Sequence, residues 1–383
     1  NLIYTLPFTS IIDQVDEEMQ SVFDVQPDQK SYTIHHYMSD TKTEINEDHT
    51  TTKEELLLAK TWKSQVTLTT FVQLFESLTA PKNKQSLKLP ALKNSVIILD
   101  EPQAISYDWW SIIPYLMKYL IKEYNVTLIS MTATQPTLFK KSKNINITEI
   151  LQNKKDFKNY LKQNPRVEYN IDPSVQDYLK KGTQAQPLEY ESLSKKIHSS
   201  IKNQNNSVLT ICNTIDSAEE VTKQIIKRND IKCLNPKILK NQPNLKTDDV
   251  GLIHLTTRIK PSHRKKLINL IKKRLRKNKK TIVISTQLIE AGVDLSFQKV
   301  YRDIAPLPSI VQAAGRCNRN NSQNIGNVTI IRLEPPLESE HTPSSIVYNN
   351  GLKLLNATKS TLKTNRSTYT ENQFSSLTQS FFK

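Results

Sequence analysis

The feature of this sequence that most constrains its fold is an alternation of short apolar runs with longer stretches of helical periodicity. Short runs rich in Val, Ile and Leu are typical of strands buried on both faces of a parallel sheet. The alternation therefore predicts an α/β protein built from parallel sheets. The predicted strands are Leu2–Thr5, Val66–Thr69, Ser95–Leu99, Val126–Ser130, Ser207–Cys212, Gly251–His254, Thr281–Ser285 and Val328–Arg332.

The length of 383 residues is enough for two domains with separate cores. A polar stretch over 172–190 favours a surface connection between two halves, and the strand signals end after Glu334. The predicted organisation has four parts. They are a first lobe over 1–165, an inter-lobe connection over 166–189, a second lobe over 190–335 and a C-terminal extension over 336–383 that starts an accessory region.

Charge and residue usage limit the partners of the chain. Its 53 Lys and Arg residues outnumber its 37 Asp and Glu residues, and the net charge of +16 favours a polyanionic partner such as nucleic acid. The three cysteines lie far apart without a CxxC pair, which argues against a disulfide framework and suits a reducing cytoplasm. No apolar run approaches the ~20 residues of a membrane-spanning helix. The seven histidines show no metal-ligand spacing.

The strongest local motif is VIILDEPQ at Val96–Gln103, an apolar run that ends in two acidic residues. Parallel sheets bind ligands at the carboxyl ends of their strands, and this run delivers two carboxylates to that edge. In a nucleoside triphosphatase, Asp100 would hold Mg²⁺ through water, and Glu101 would orient and deprotonate the attacking water. Taken alone, the acidic pair also suits the N-terminus of a helix.

A second apolar run, LISMTAT at Leu128–Thr134, ends in small hydroxyl residues. The hydroxyls of Thr132 and Thr134 could hydrogen-bond Asp100 or Glu101 and relay their state to the other lobe. By itself the segment is an ordinary strand followed by a Thr-rich turn, and its order after the DEPQ motif is what favours the relay.

The second half of the chain carries TIVISTQLIEAGVDL at Thr281–Leu295. Thr286 would lie at the sheet edge after the strand. Gly292 would let a ligand approach the backbone closely, and Asp294 would be free to bind a ribose or an arginine.

QAAGRCNR at Gln312–Arg319 places Arg316 and Arg319 three residues apart, on one side of the chain if the segment is helical. Two arginines directed at a bound nucleotide would stabilise the charge that develops on a γ-phosphate during transfer. One arginine pair is usually a feature of a helix surface, but STQLIEAGVD in the same half favours the catalytic interpretation.

In this order, DEPQ, SMTAT, STQLIEAGVDLSF and QAAGRCNRN resemble the motifs of superfamily 2 helicases. The last two, with LPFTSIIDQ at Leu6–Gln14, resemble most closely the CRISPR-associated helicases of type I systems. This resemblance implies two RecA-like parallel-sheet lobes that bind ATP and Mg²⁺ between them and single-stranded DNA across both. It also implies recruitment by the Cascade surveillance complex, and in many members a nuclease domain that is linked or separate.

The resemblance assigns roles to residues that match the family's motifs. Those implied in catalysis are Glu101, Gln312, Arg316 and Arg319; those implied in nucleotide and Mg²⁺ binding are Asp100, Gly292 and Asp294. The coupling residues would be Gln103, Thr132 and Thr134, and the nucleic-acid contacts would be Thr9, Ser10, Thr69, Thr70, Asn213, Thr214, Arg258 and Thr286. Each threonine equally suits a turn or a helix cap.

One expected motif is absent from the sequence. The phosphate loop GxxxxGK[ST], whose amides and lysine cradle the β- and γ-phosphates, does not occur, and none of the six glycines precedes a lysine. The family places this loop just before the LPFTSIIDQ segment, and we expect it upstream of Asn1. This chain should therefore bind ATP weakly.

Three alternatives stay open at this point. The chain could be an RNA helicase of the same superfamily, or a module that binds DNA or Cascade without turnover. The basic run KKRLRKNKK at Lys272–Lys280 could attract a phosphate backbone, although the solvated face of an amphipathic helix is the preferred interpretation.

Overall fold

The structure is a computed structural model of the chain. It describes residues 1–7, 12, 15–16, 18–21, 32–35, 57–58, 60–79, 83–105, 109–132, 147–150, 153–203, 206–228, 231–234, 250–290, 293–321, 325–336, 339–348, 352–362 and 366–381. The described residues form two compact units, Asn1–Ile150 and Leu151–Lys383.

The first unit is built on a five-stranded sheet in the order β2-β3-β1-β4-β5, in which every neighbouring pair is parallel. Side chains such as Ile3 and Ile97 have no solvent exposure, which is why their apolar runs carry little polar alternation. The strands are β1 (Leu2–Leu6), β2 (Tyr32–His35), β3 (Val66–Thr70), β4 (Val96–Asp100) and β5 (Thr127–Met131).

Helices connect these parallel strands, as parallel pairing requires. Pro114 lies in the first turn of the helix that precedes β5, so it begins that helix instead of kinking a longer one. The described helices of this unit are α1 (Phe71–Thr79), α2 (Asn83–Ser86), α3 (Leu89–Leu92) and α4 (Ile113–Tyr124).

The second unit is built on an eight-stranded sheet in the order β13-β6-β12-β11-β7-β10-β9-β8. All neighbouring pairs are parallel except β13 with β6. The strands are β6 (Val167–Ile171), β7 (Ser207–Ile211), β8 (Ile231–Cys233), β9 (Val250–Leu255), β10 (Thr281–Ser285), β11 (Lys299–Asp303), β12 (Gly326–Ile331) and β13 (Thr368–Thr370).

The second unit also contains nine helices with bounds among the described residues. They are α5 (Lys154–Gln163), α6 (Pro173–Lys181), α7 (Tyr190–Asn203), α8 (Ile215–Ile226), α9 (Pro261–Arg276), α10 (Leu307–Ala314), α11 (Pro343–Val347), α12 (Leu352–Leu362) and α13 (Glu371–Phe381). Among the described residues, none of these helices, nor those of the first unit, has the length and apolar character needed to cross a membrane.

The predicted inter-lobe connection over 166–189 needs correction, because most of it is regular structure of the second unit. Val167, Tyr169 and Ile171 are buried on β6, which pairs with β12, and α6 follows. The alternation of VEYNI, with polar residues between the buried ones, has too few apolar residues for the continuous pattern by which the other strands were predicted.

The C-terminal extension over 336–383 also belongs to the second unit, although its composition lacks strand signals. Phe374 of α13 is fully buried and stacks on Tyr169 of β6, with ring centroids 3.9 Å apart. Glu371 accepts from Arg166, whose guanidinium lies 2.5 Å from its carboxylate. The extension thereby covers the outer edge of β6, which would otherwise present unpaired backbone groups.

Candidate functional site

The carboxyl end of β4 carries the two acidic residues of the DEPQ motif. Asp100 is the last residue of the strand, and the Tyr4 hydroxyl of neighbouring β1 donates to its Oδ2 at 3.0 Å. Burial raises the pKa of Asp100, while the hydrogen bond from Tyr4 opposes that rise. Asp100 is thus a partly buried carboxylate held by a neighbouring strand, and Tyr4 is a contact that the sequence patterns did not indicate.

Glu101 follows at a point where the backbone enters the left-handed region, with φ of 56°. A side chain other than glycine costs about 1 kcal/mol or more in this conformation, so the surrounding structure must hold it. Its N–H donates to the Met131 carbonyl at the end of β5 at 2.8 Å. The turn Pro102–Ala104 then carries the chain away from the sheet.

A chain of side-chain hydrogen bonds joins Glu101 to the segment after β5. The amide Nε2 of Gln103 donates to the Glu101 carboxylate, and the Thr132 hydroxyl donates to the amide oxygen of Gln103 at 2.6 Å. Thr132 therefore reaches the catalytic candidate through Gln103, where the sequence suggested a direct bond. Thr134, the second predicted coupling residue, lies outside the described residues.

Two of the residues predicted to contact nucleic acid in the first unit use their hydroxyls in hydrogen bonds within the unit. Thr69 is fully buried, and its hydroxyl donates to the His35 carbonyl of β2 at 2.7 Å. Thr70 accepts from the Gln73 N–H at 3.3 Å in the first turn of α1. The Thr69 hydroxyl therefore donates its proton within the unit, whereas the Thr70 hydroxyl acts there only as an acceptor. Thr9 and Ser10 lie outside the described residues.

Asn213, predicted to contact nucleic acid, follows β7 and is 3% exposed. Its amide nitrogen donates to Asp303 Oδ2 at 2.7 Å and to the Ile304 carbonyl at 2.8 Å, and its Oδ1 accepts from Arg302 Nη1 at 2.6 Å. The side chain is thus fully engaged with the end of β11.

Thr214 and Thr286 also end strands of this sheet. The Thr214 hydroxyl accepts from the Ser217 N–H at 3.2 Å and caps α8, while Thr286 is 5% exposed after β10. Beside Thr286, the amide of Gln287 donates to the Asn213 carbonyl at 2.9 Å. This bond joins the segments that follow β7 and β10.

Arg258 differs from these residues because it is exposed. Its guanidinium pairs with Asp216 at 3.0 Å and with Glu219 at 2.6 Å, both near the start of α8. Exposed ion pairs of this kind are worth less than about 1 kcal/mol, so a phosphate could compete for the arginine.

The two arginines of the QAAGRCNR motif do not share a side. The helix α10 carries the partly buried Gln312 and ends at Ala314, so Arg316 lies in a turn. Arg316 is 7% exposed and donates to the carbonyls of Ile289 at 2.9 Å and Glu290 at 2.7 Å. Its guanidinium therefore holds the backbone of the STQLIEAGVD segment. The segment that carries the two arginines is not helical, so the condition for an arginine pair on one helix side is not met.

Arg319 is the motif arginine that faces solvent. Its guanidinium lies 2.9 Å from Asp294, with side-chain exposures of 43% and 60%, and its N–H donates to the Ser296 hydroxyl at 3.0 Å. Asp294, predicted to bind a ribose or an arginine, here contacts an arginine. Gly292 lies outside the described residues.

A buried ion pair beneath these strand ends was missed by the sequence patterns. Arg302 of β11 has no solvent exposure, and its Nε lies 2.6 Å from a carboxylate oxygen of Glu290. Its other nitrogens donate to the Asp303 carbonyl at 2.7 Å and to the Tyr348 hydroxyl at 3.2 Å. Burial raises the pKa of Glu290, although the charge of Arg302 opposes that rise.

Asp303 completes this buried polar network. Its Oδ1 accepts from the Leu333 N–H at 3.1 Å, and burial raises its pKa to about 6 against the influence of that bond and of Arg302. The signal that could have revealed the network is the pair of charged residues in YRDIAP, because such charges in an apolar context are rarely buried without partners.

Asp100 and Glu101 fit a magnesium ion. Carboxylate oxygens are the ligands Mg²⁺ prefers, and it usually takes one or two of them with water and phosphate oxygens. Within the described part of the chain no three His, Cys, Asp or Glu side chains cluster as a metal site, so further ligands would come from water and phosphate. The cradle for the β- and γ-phosphates is not encoded in this sequence.

Comparison with known proteins agrees with the motif pattern. Residues 204–322 match the family model described as CRISPR-associated nuclease/helicase Cas3, C-terminal. A CRISPR-associated nuclease/helicase Cas3 from Haloferax volcanii is 32% identical over 421 residues, covering 91% of this chain and 45% of that protein. A Cas3 from Methanothermobacter thermautotrophicus is 25% identical over 274 residues, 70% of this chain and 28% of that protein. The chain thus spans less than half the length of these relatives.

Solved structures bear on the fold. The crystal structure of T. fusca Cas3 with ATP is 16% identical, covers 99% of this chain and 46% of its own, and has a TM-score of 0.65. A chain of a CRISPR RNA-guided surveillance complex in a pre-nicking state covers 100% of this chain and 48% of its own, with 13% identity and a TM-score of 0.57. The predicted α/β fold of two parallel-sheet lobes is confirmed, and the Cas3 structures share it.

Proposed function

Since this chain is related over most of its length to the helicase part of the CRISPR-associated Cas3 proteins, we propose that it is the motor part of an ATP-dependent single-stranded DNA translocase. Its role would lie in type I CRISPR interference, where target DNA is unwound.

The observation that carries this proposal is the hydrogen-bonded series from Glu101 through Gln103 to Thr132. The series begins at a carboxylate held in a costly left-handed turn at the ligand-binding edge of a parallel sheet. A purely structural turn would not need Glu at a position where glycine is free of strain. The arrangement suits a catalytic base whose state is passed to the next segment.

In the first unit Asp100 would hold Mg²⁺ through water, and Glu101 would take the proton of the water that attacks ATP. Bound Mg²⁺ supplies positive charge that offsets the charge of the phosphates. Gln103 orients the carboxylate of Glu101 by donating a hydrogen bond to it. The carboxylate has further lone pairs, which can accept the proton of the water.

In the second unit Arg319 is the arginine suited to contact a γ-phosphate, because its guanidinium is exposed and its only described charge partner is the exposed Asp294. Arg316 suits a positioning role, since its guanidinium donates hydrogen bonds to the carbonyls of Ile289 and Glu290. Gln312 stays a candidate beside them on α10.

The partners follow from charge and from the relatives. A net charge of +16 supports a polyanion, and backbone N–H groups at strand ends suit contacts to phosphates regardless of sequence. The proposed nucleic-acid contacts that remain lie at or just after the ends of strands. They are Thr70, Thr214, Thr286 and Arg258. The surveillance-complex chain of similar fold supports Cascade as a partner, and the name nuclease/helicase of the relatives supports a nuclease domain that acts with this motor.

The test is Glu101→Gln in a protein that carries this chain together with a phosphate loop. The amide keeps the shape and the bond to Gln103 but cannot accept the proton of water, so DNA-stimulated ATP hydrolysis should fall at least about 100-fold with ATP binding retained. Exposed Glu123→Gln on α4 is the matched control and should leave turnover unchanged. Hydrolysis within about tenfold of wild type in Glu101→Gln would remove Glu101 from the role of base.

A further inference from the structure

A groove of about 360 Å³ lies at the amino-terminal edge of the second sheet. Its lining includes Asn206, Lys279 and Gln298, which come just before β7, β10 and β11 respectively. Asn213, Thr214 and Thr286 follow the other ends of β7 and β10, and a five-residue strand is about 13 Å long. The groove therefore lies at one edge of this sheet, and the proposed contacts to single-stranded DNA lie at the opposite edge.

The groove is basic. Lys272 and Arg276, which lie one helical turn apart on α9, line it together with Lys279. The same two residues also line a shallower depression with Lys273 and Lys277, so the basic surface continues around the helix. We call this surface, made of Lys272, Lys273, Arg276, Lys277 and Lys279, the α9 basic track.

The cations of the track have no acidic partner among the residues that the structure describes. The acidic residue that lines the groove, Asp294, pairs with Arg319. The five cations of the track lie within eight residues and repel one another, and no acidic side chain in the described part of the chain pairs with any of them.

Stabilisation of the helix accounts for only part of these charges. The end of α9 is closed by the backbone: Asn278 adopts φ of 49°, and the Lys279 N–H donates to the Arg274 carbonyl at 3.0 Å. Basic side chains are therefore not needed to satisfy the last carbonyls, and the helix-dipole effect does not extend to Lys279, which lies beyond the last turn.

One member of the run is structural, and it makes the track rigid. Arg274 is buried and donates to the Thr281 hydroxyl at 3.2 Å and to the Lys280 carbonyl at 2.7 Å. A Cβ on Gly251 of β9 would lie 2.7 Å from the Arg274 guanidinium carbon, so glycine is what lets the arginine reach this position. The turn that carries Lys279 is thereby fixed to two strands.

Neutral side-chain amides also line the groove, and two of them are held by hydrogen bonds. The Asn206 N–H donates to Gln298 Oε1 at 2.5 Å, and the Gln298 N–H donates to the Ser207 hydroxyl at 3.0 Å. Asn318, also a lining residue, donates to the Arg166 carbonyl at 2.8 Å. A preformed groove lined by both cations and amides suits phosphates and the sugar groups between them.

We propose that the α9 basic track and its groove bind the phosphate backbone of a single-stranded DNA segment. This would be a second DNA contact, at the edge of the sheet opposite the contacts proposed at the carboxyl ends of the strands. The ligand class rests on the proposed function. An extended polyanion fits better than a single nucleotide, because Lys272 and Arg276 lie about 6 Å apart along α9 and the track runs on past the groove. Phosphate contacts of this kind carry no sequence preference.

The test uses the 383-residue chain and a fluorescent oligothymidylate of about 20 nucleotides, with binding followed by anisotropy from about 50 to 200 mM salt. Lys272→Gln with Arg276→Gln should weaken binding about tenfold at the low-salt end. Loss of two phosphate contacts should also make the slope of log affinity against log salt about 1.4 smaller, at 0.7 for each contact.

The matched control is Lys180→Gln with Lys181→Gln. These two lysines lie in the last turn of α6, as Arg276 does in α9, so the control removes the same charge close to the end of a helix. It should change neither affinity nor slope. The charge-keeping pair Lys272→Arg with Arg276→Lys should bind like wild type, and unchanged melting temperatures would show that all variants fold.

Two outcomes would overturn the proposal. In the first, wild type binds DNA and the groove variant matches the lysine control. In the second, the groove variant loses affinity for ATP with its DNA binding intact, which would make the groove a nucleotide site. Absence of DNA binding in wild type at low salt would instead contradict the proposed function, so the failures of the two proposals can be told apart.

Discussion

Gln103 shows what one side chain can supply that its neighbours cannot. Its amide donates to a carboxylate and accepts from a hydroxyl at the same time, and it does so between Glu101 and Thr132. A glutamate at this position would repel Glu101, and an alanine would remove both of these hydrogen bonds. At the residue scale the DEPQ motif is therefore two carboxylates followed by the amide that connects them to the next strand.

The Thr132 hydroxyl gives a prediction at this scale. In a protein that also carries the phosphate loop, Thr132→Val should keep most DNA-stimulated ATP hydrolysis and lose strand unwinding. The reason is that the bond to Gln103, worth about 1 kcal/mol, links two segments without touching the reacting phosphate. Both rates should be measured on one preparation.

Thr132→Ser is the matched control for that change, since it keeps the hydroxyl. It should retain the wild-type ratio of unwinding to hydrolysis. If Thr132→Val lowers the melting temperature and leaves this ratio unchanged, Thr132 is only a turn residue.

At the scale of elements, the ends of three neighbouring strands are tied together below the surface. Arg302 at the end of β11 contacts Asn213 after β7 and Glu290 in the segment after β10. The backbone of that last segment in turn accepts from Arg316. Motif segments far apart in the sequence are thus held in one arrangement by two buried guanidinium groups.

Breaking this contact should be costly. Arg302→Met leaves the Glu290 carboxylate buried without its charge partner, and removal of one member of a buried pair typically costs about 3–5 kcal/mol. Arg302→Met with Glu290→Gln should cost clearly less, because no charge is left behind. Exposed Arg258→Met is the control and should cost less than about 1 kcal/mol.

The three tryptophans of the chain all lie in the first unit, so their fluorescence does not report on this network. Amide hydrogen exchange at β7 and β11 in urea is the suitable measurement. Equal loss of protection in the single and the double variant would show that the pair does not stabilise the second unit through its charge.

At the scale of the molecule, each unit has its own sheet and its own core. The second unit is completed by the C-terminal residues, since β13 and α13 cover the edge of β6 with a fully buried Phe374 and the Arg166–Glu371 pair. The first unit holds the proposed base, and the second holds the exposed arginine. Neither contains the loop that cradles phosphates.

This division predicts that the 383-residue chain is a poor ATPase. Without the amides and lysine of the phosphate loop, the triphosphate has few contacts, so turnover should stay well below about 1 s⁻¹ with or without DNA. Phosphate release measured with saturating single-stranded DNA tests this. Turnover above that value would mean that other residues of the chain bind the phosphates.

The sequence by itself determined the parallel α/β class and the order of the motif segments. Each of these is a local pattern, because a buried strand needs a run of apolar residues and its ligand-binding residues follow directly after it. The placement of Asp100 and Glu101 at the end of β4, and of Thr286 after β10, follows from such runs. The roles of these residues stay predictions.

Only the tertiary structure decided which side chains meet. Arg316 and Arg319 belong to the same sequence motif. Arg316 donates to two carbonyls more than twenty residues earlier in the chain, whereas Arg319 faces solvent. Arg302 in β11 and Phe374 in α13 are likewise defined by partners from distant segments. Periodicity in a sequence reports the environment of one segment, whereas burial of a charge or the cover of a sheet edge depends on contacts between segments.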